Sequence, residues 1–235
     1  MNKTISISCI DTLNYEKSIR AINATCENIK IDKVYWFSDK NISDEINVPV
    51  IWHQIPKIDI KNFIHFTGEI HLKIMPEIVD TDFNVINHYD GFAVNKNAWT
   101  DDFLTYDYIG AIWPFYPVDA NVGNGGFSLR SKKLYDALLD LKVSHLSSDY
   151  SMSELGLEKG THTVQGHNGE WLIPEDVIIC KIHRNILQSK YDIKFAPPDI
   201  ANRWSIEGNM NSEWLGKSLG FHGRHGVARY YGVEI

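Results

Sequence analysis

Four short segments of this 235-residue chain hold side chains able to do chemistry. In chain order they are His88-Tyr89-Asp90, Gly123-Asn124-Gly125-Gly126-Phe127-Ser128, Pro174-Glu175-Asp176-Val177 and Gly220-Phe221-His222-Gly223. A carboxylate following a strand, a glycine-rich turn, a pair of acids and a late histidine are the parts needed to hold a metal-bound diphosphate and to activate a hydroxyl against it. Glycines allow a ligand or another chain segment to approach the backbone closely. Adjacent acids at a helix start offer a general base. Histidine is a good ligand for Mn2+ or Zn2+ and a poorer one for Mg2+.

Two acidic segments compete for the metal. Asp80-Thr81-Asp82 has the literal Asp-x-Asp spacing but precedes the apolar run Phe83 to Ile86, whereas Asp90 follows it. Ligands of open α/β sheets bind beyond the carboxyl ends of the strands. The expectation is therefore Asp90 as ligand and Asp80 and Asp82 as a solvated turn. His88 either joins Asp90 on the metal or touches ribose or phosphate. Asp11, at the carboxyl end of the first strand, reads equally as a donor-binding acid and as a cap for the next helix. Periodicity does not decide which of Glu175 and Asp176 faces the site. His222 and His225 would need two more ligands to make a zinc site, and none stands at a usual spacing.

The elements that must position these groups follow from patterning. Thr4 to Ile10 alternates polar and apolar residues, as a strand does. Asn14 to Ile29 has helical spacing, with Ile19, Ile22 and Cys26 on one face. Val34 to Phe37 is a second strand. Val48 to Trp52 is a third, placed near an edge or strand start by Pro49. Phe63, Phe66, Ile70 and Ile74 recur at helical spacing as far as Pro76, which is expected to end that helix. Strand, helix, strand, strand, helix, strand in the first 90 residues implies a largely parallel α/β sheet. Beyond it, Tyr108 to Trp113 and Phe127 to Arg130 read as strands. Ser131 caps a helix bearing Leu134, Leu138 and Leu141. Ser147 to Gly169 reads as a long functional loop ordering over the site, and Val177 to Ser189 as a helix.

Composition narrows the class. Hydrophobic residues make up 43% and aromatic residues 12%, as in a globular domain. With 30 acidic against 23 basic residues the net charge is −7, which argues against general nucleic-acid binding. Cys9, Cys26 and Cys180 show no C-x-x-C spacing, so neither a disulfide framework nor a cysteine zinc site is indicated. No leader pattern and no run of about 18 apolar residues is present, and the expectation is a cytoplasmic protein without a transmembrane segment.

Read together, Asp90 to His222 resembles the inverting glycosyltransferases of the GT-A fold, of the Fringe and β-1,3-galactosyltransferase kind. Closer still in wording is a largely uncharacterised family of GT-A-like proteins. Asp90-Gly91-Phe92, Tyr106-Asp107-Tyr108-Ile109-Gly110-Ala111, Gly123 to Ser131 and Pro174-Glu175-Asp176-Val177 look like its signature. The resemblance implies one α/β domain over residues 1–235 with a mixed, mostly parallel central sheet flanked by helices. Its nucleotide-binding part covers about 1–95 and its acceptor-binding part about 96–235. It further implies that Asp90 binds a divalent metal and that His222 completes its shell; His88 beside Asp90 is the third ligand expected from the residues, and the metal expected is Mn2+, with Mg2+ the alternative. Gly125, Gly126 and Glu175 would line the pocket for a glycan or other hydroxyl acceptor, and Asp176 would be the base; from their strand-end positions, Asp11, His88 and Asp90 are expected to bind a nucleotide-sugar donor. The departure is His88, where the better-known enzymes carry Asp. The rival readings are a non-catalytic nucleotide-sugar or glycan-binding protein on this fold, and a nucleotidyltransferase. The second would want a basic glycine-rich loop after the first strand, and Cys9 to Tyr15 has neither glycine nor lysine.

Overall fold

A computed structural model describes residues 3–58, 63–113, 116, 121–158, 160, 162–166, 169–207, 213–223 and 225–233. Strands β1 (Ile5–Ile10), β2 (Lys33–Ser38), β3 (Val50–Gln54) and β4 (Phe83–Asn87) pair in parallel. β5 (Gly91–Ala93) leaves this sheet. β6 (Tyr108–Ile109) and β7 (Phe127–Ser131) complete it, β7 running antiparallel to both β4 and β6. The order is β3-β2-β1-β4-β7-β6, a mixed and mostly parallel sheet as expected. β3 lies at the edge, where Pro49 implied it.

Alternation along the strands sends side chains to opposite faces. Tyr35 and Phe37 of β2 join one apolar layer, and Val34 and Trp36 the other. The first layer is covered by α2 (Phe63–Glu69), α3 (Met75–Ile78), α4 (Lys132–Leu141) and α6 (Arg184–Tyr191). The second is covered by α1 (Tyr15–Asn28) and α7 (Pro198–Trp204). The polar residues of β1 do not face water. Ser6 and Ser8 donate to Asn84 Oδ1 at 2.9 and 3.0 Å, and Asn84 donates to the Tyr135 hydroxyl at 2.8 Å. A buried polar stripe that satisfies itself reads from sequence like a half-exposed strand.

Three expected boundaries move. Pro76 does not end its helix. The chain passes from α2 through a π-helical turn, Ile70–Ile74, into α3 with Pro76 in its first turn. Proline has no N–H to leave unpaired and is tolerated there. Tyr108 to Trp113 contributes only Tyr108–Ile109 to the sheet, Ile112 making a lone bridge to Val122. The helix expected over Val177 to Ser189 is a short turn, α5 (Glu175–Val177), a π-helical stretch Ile178–Ile182, and α6 after a break at His183. Ser131 caps α4 as expected, its hydroxyl accepting from Leu134 N at 3.0 Å.

A second, three-stranded sheet has the order β10-β11-β5, with β10 (Ser205–Glu207) parallel to β11 (Gly220–His222) and β11 antiparallel to β5. Its register sets His222 opposite Gly91 on one side and Glu207 on the other. Within Ser147 to Gly169, β8 (Val164–Gln165) pairs as a ribbon with β9 (Trp171–Leu172), which lies just beyond that segment. Leu157 is buried, and Tyr150, Met152 and Leu155 pack on the first apolar layer. That half of the expected loop is therefore built into the core; residues 159, 161, 167 and 168 lie outside the described residues.

Candidate active site

The segment after β4 turns within two residues. His88 N donates to Gly91 O at 3.0 Å and Gly91 N to His88 O at 3.1 Å, so Tyr89 and Asp90 form the tip. Asp90 O accepts from Gly223 N at 2.7 Å, which ties this tip to the end of β11. His88, Asp90 and His222 then offer ligand atoms all within 4.8 Å of one another. His222 Nδ1 stands 3.5 Å from Glu207 Oε1, and its Nε2 3.9 Å from Asp90 Oδ1. A carboxylate on the far nitrogen of a ligating imidazole fixes its tautomer and aims the other nitrogen at a metal. The donor set of two imidazoles and one carboxylate fits a divalent transition metal.

Electrostatics separates the two rings. Burial pulls the His88 imidazole down, with the charge of His222 adding to this. For His222, burial also disfavours the cation, but Glu207 and Asp90 outweigh it and raise its pKa.

The Gly-Gly turn stands against this cluster. A Cβ on Gly126 would lie 1.9 Å from His222 Nε2, and one on Gly125 would lie 2.6 Å from Glu175 Oε1. Both positions exclude a side chain because functional groups occupy the space. Gly125 N donates to Asp176 Oδ2 at 3.0 Å, and Val177 N to Asp176 Oδ1 at 2.8 Å. Glu175 Oε1 accepts from Arg130 Nη2 at 3.0 Å, and Arg130 is fully buried on β7. Arg130 Nη1 also stands 3.5 Å from His71 Nδ1.

The two acids have opposite tendencies. Burial works against ionisation of Glu175, but His71 and the Arg130 guanidinium outweigh it, and the carboxyl is held down at about 2. Asp176 is pushed up to about 7, first by burial and then by the adjacent Glu175 charge. The Gly125 and Val177 amides and Arg130 oppose this without reversing it. A helix start alone predicts a readily ionised carboxylate; burial gives Asp176 a proton that it exchanges near neutrality. Separated pKa values in one pair of acids are the usual mark of divided acid and base roles.

Asp11 lies beside this cluster, in the wall of a cleft of about 200 Å3 that also includes Thr12, Phe63, Tyr89, Asp90 and His222. Its Oδ1 accepts from Leu13 N at 2.7 Å and Asn14 N at 2.8 Å, and Ser18 Oγ donates to its Oδ2. The carboxylate thus organises the turn that precedes α1, whose N-cap is Asn14. Asp80 and Asp82 sit at the amino end of β4, where Asp80 binds Lys33 and Tyr35, and Asp82 binds Lys3 and Thr4. Sequence reasoning gave no role to Arg130, His71 or Glu207. An arginine in the buried strand Phe127–Ser131 was the available signal for the first of these.

The sequence profile of a family described as "Protein of unknown function (DUF5672)" matches residues 72–222. No curated protein matches the chain. Among solved structures, a glycosyltransferase involved in the glycosylation of the major capsid of PBCV-1 has a similar fold, with a TM-score of 0.52 at 10% identity over 97% of each chain. The apo-form glycosyltransferase GlyE of Streptococcus pneumoniae TIGR4 aligns with a TM-score of 0.46 at 13% identity, over 84% of this chain and 46% of that one. The second likeness is too slight to carry an argument. The first concerns the fold. Among the described residues, no helix is long and apolar enough to cross a membrane.

Proposed function

The chain belongs to the DUF5672 family, and from the chemistry of its site we propose that it is a glycosyltransferase, moving a sugar from a nucleotide-sugar to an acceptor hydroxyl with inversion. One observation carries this reading. A cluster with the geometry to hold a cation and a carboxyl with a pKa near neutrality back onto the same two-residue turn, Gly125-Gly126, on a fold similar to that of a glycosyltransferase. The finer likeness to the Fringe kind rests on the motifs alone.

His88, Asp90 and His222 would hold a divalent cation. Two imidazoles with one carboxylate suit Mn2+ better than Mg2+. When bound, such an ion neutralises the charge of a departing diphosphate. The first 95 or so residues would form the donor side. There Asp11 holds the β1–α1 turn in the cleft wall, and Tyr89 and Asp90 present the tip after β4. The remaining residues would form the acceptor side. Glu175 and the Gly125-Gly126 backbone line it, and Asp176 accepts the proton of the attacking hydroxyl as the new bond forms on the face opposite the leaving group. A base with a pKa near the working pH combines availability with driving force.

The test is release of free nucleotide from a panel of UDP-, GDP-, CMP- and dTDP-sugars, with and without Mn2+. A general base contributes about 10²- to 10⁴-fold in rate. Asp176→Asn is expected to lose turnover by that factor and to retain nucleotide binding in a thermal-shift assay. The anomeric configuration of the product, read by NMR, is expected to be inverted. No release from any donor, with binding intact, favours the non-catalytic binding protein. Full turnover by Asp176→Asn removes Asp176 from the mechanism.

A further inference from the structure

Glu175 and Asp176 are neighbours in the chain, are both carboxylates, and both touch the Gly125 corner. Nothing in their types says which should exchange a proton. The difference comes from β7. Arg130 is fully buried, and its guanidinium reaches both partners that define the corner. Nη2 donates to Glu175 Oε1 at 3.0 Å. Nε donates to Ser128 Oγ at 3.2 Å, and Ser128 Oγ donates onward to Gly125 O at 2.9 Å. On the other side of the same residue, Gly125 N donates to Asp176. One guanidinium therefore holds the Glu175 carboxylate directly and, through Ser128, the carbonyl of the residue whose N–H donates to Asp176.

We propose that Arg130 is a positioning residue that divides the labour between the two acids: it pins Glu175 as a permanent anion against the Gly-Gly turn and leaves Asp176 to exchange the proton. The proposal rests on the reading of Asp176 as the base.

The other groups around the pair do not provide this cation. Those facing it are His71 from the π-helical turn after α2, His88 after β4, Tyr108 and Tyr135, Cys180, Tyr116 and His222. Burial pushes the His71 imidazole down to about 3 and lowers that of His88, so the His71 charge that joins Arg130 in holding Glu175 down is present only in acid, and both rings are neutral at physiological pH. Burial raises the phenols and the thiol, which stay protonated. His222 is engaged with Glu207 and Asp90. Arg130 is the partner in hydrogen-bond contact with Glu175, and a guanidinium keeps its charge at any pH of interest. A fixed anion beside a second carboxylate disfavours ionisation of the second.

The experiment is carboxyl ¹³C NMR of the full-length protein labelled at Asp and Glu, titrated between about pH 4 and 8, the range that covers ordinary and raised carboxyls. Asp176→Asn and Glu175→Gln provide the assignments. It needs neither donor nor acceptor, so a failure of the glycosyltransferase reading leaves the result interpretable. The Glu175 resonance is expected to stay flat in the native protein and in Arg130→Lys, and to titrate within this range in Arg130→Met. The Asp176 midpoint is expected to fall by about one unit or more in Glu175→Gln. Should Arg130→Met fail to fold, Arg130→Met combined with Glu175→Gln removes the unpaired buried anion, and Asp176 must again titrate lower than in the native protein. A flat Glu175 resonance in folded Arg130→Met, or an unmoved Asp176 midpoint in either Gln variant, overturns the proposal. A change in turnover alone does not support it, since a purely structural arginine would produce that too.

Discussion

Replacing Asp176 by Asn changes how stability depends on pH, and the size of the change follows from the site. The folded protein holds this carboxyl at about 7 against an ordinary value of 3.8. Between those values the folded chain keeps a proton that the unfolded chain has released. The stability contributed by this group is therefore fully present below about pH 4 and is lost as pH rises through 7. Integrated from about pH 5 to about pH 8, the loss is about 2.5 kcal/mol. Asn carries no charge at either pH and escapes it. The lost or gained hydrogen bonds at Gly125 and Val177 are the same at both pH values, so they cancel when each protein is compared with itself. The histidines titrate in both proteins and cancel between them. Urea unfolding followed by tryptophan fluorescence, at both pH values and for both proteins, gives the double difference. Asp176 is partly reached by solvent, which trims the figure, and a value between about 1 and 2.5 kcal/mol is expected. Parallel pH dependences of native protein and variant would refute the raised carboxyl, and with it the tuning of the pair.

Gly126→Ala places a methyl group 1.9 Å from His222 Nε2. It is expected to cost about 1–3 kcal/mol by overpacking and to weaken Mn2+ binding, measured by calorimetry, by about 10-fold or more. Glu207→Gln leaves the His222 ring in place but removes the charge behind it, and is expected to weaken Mn2+ by about 10- to 100-fold with little change in melting temperature. Asp90→Ala should abolish Mn2+ binding, whereas Asp80→Ala and Asp82→Ala, which break surface ion pairs, should leave it intact and cost about 0–1 kcal/mol each. Ser131→Ala removes the cap of α4 and the 2.6 Å hydrogen bond to Asp107, and a loss of about 1–2 kcal/mol is expected in denaturant melts.

What was legible in the sequence was whatever depends on neighbours along the chain. Alternation gave the strands, and strand direction placed Asp90 at the carboxyl end and Asp82 at the amino end of the strand Phe83–Asn87, because side-chain period and chain polarity are local properties. The helix boundaries at Pro76 and Val177 were misplaced for a local reason as well. A π-helical turn in each segment changes the pitch, and a 3.6-residue template does not register it. The site's wiring was not legible. Arg130 meets Glu175, and Glu207 meets His222, only through the packing of β7 on the acid segment and of β10 on β11. Neither pairing leaves a spacing to be read. Asp11 shows the reverse case: its position matched a ligand, but its partners two, three and seven residues on are local, and the alternative of a local role at the next helix was visible from the start.

The place of β11 has a consequence for how the molecule comes into being. By the time Ser131 has left the ribosome, all strands of the six-stranded sheet have been synthesised, and that sheet needs nothing further for its own pairing. The cation cluster still lacks His222, which arrives only when the late strand Gly220–His222 slots between β10 and β5. Closing so long a loop is the slow, entropically expensive part of assembly. A chain opened only at β11 thus keeps the pairing of its central sheet while its candidate cation cluster is incomplete. An ion bridging His88 and Asp90 to His222 would act as a clasp on the strand that docks last. Its release is expected to appear first as faster amide exchange in β11 and β5, while the central sheet stays closed.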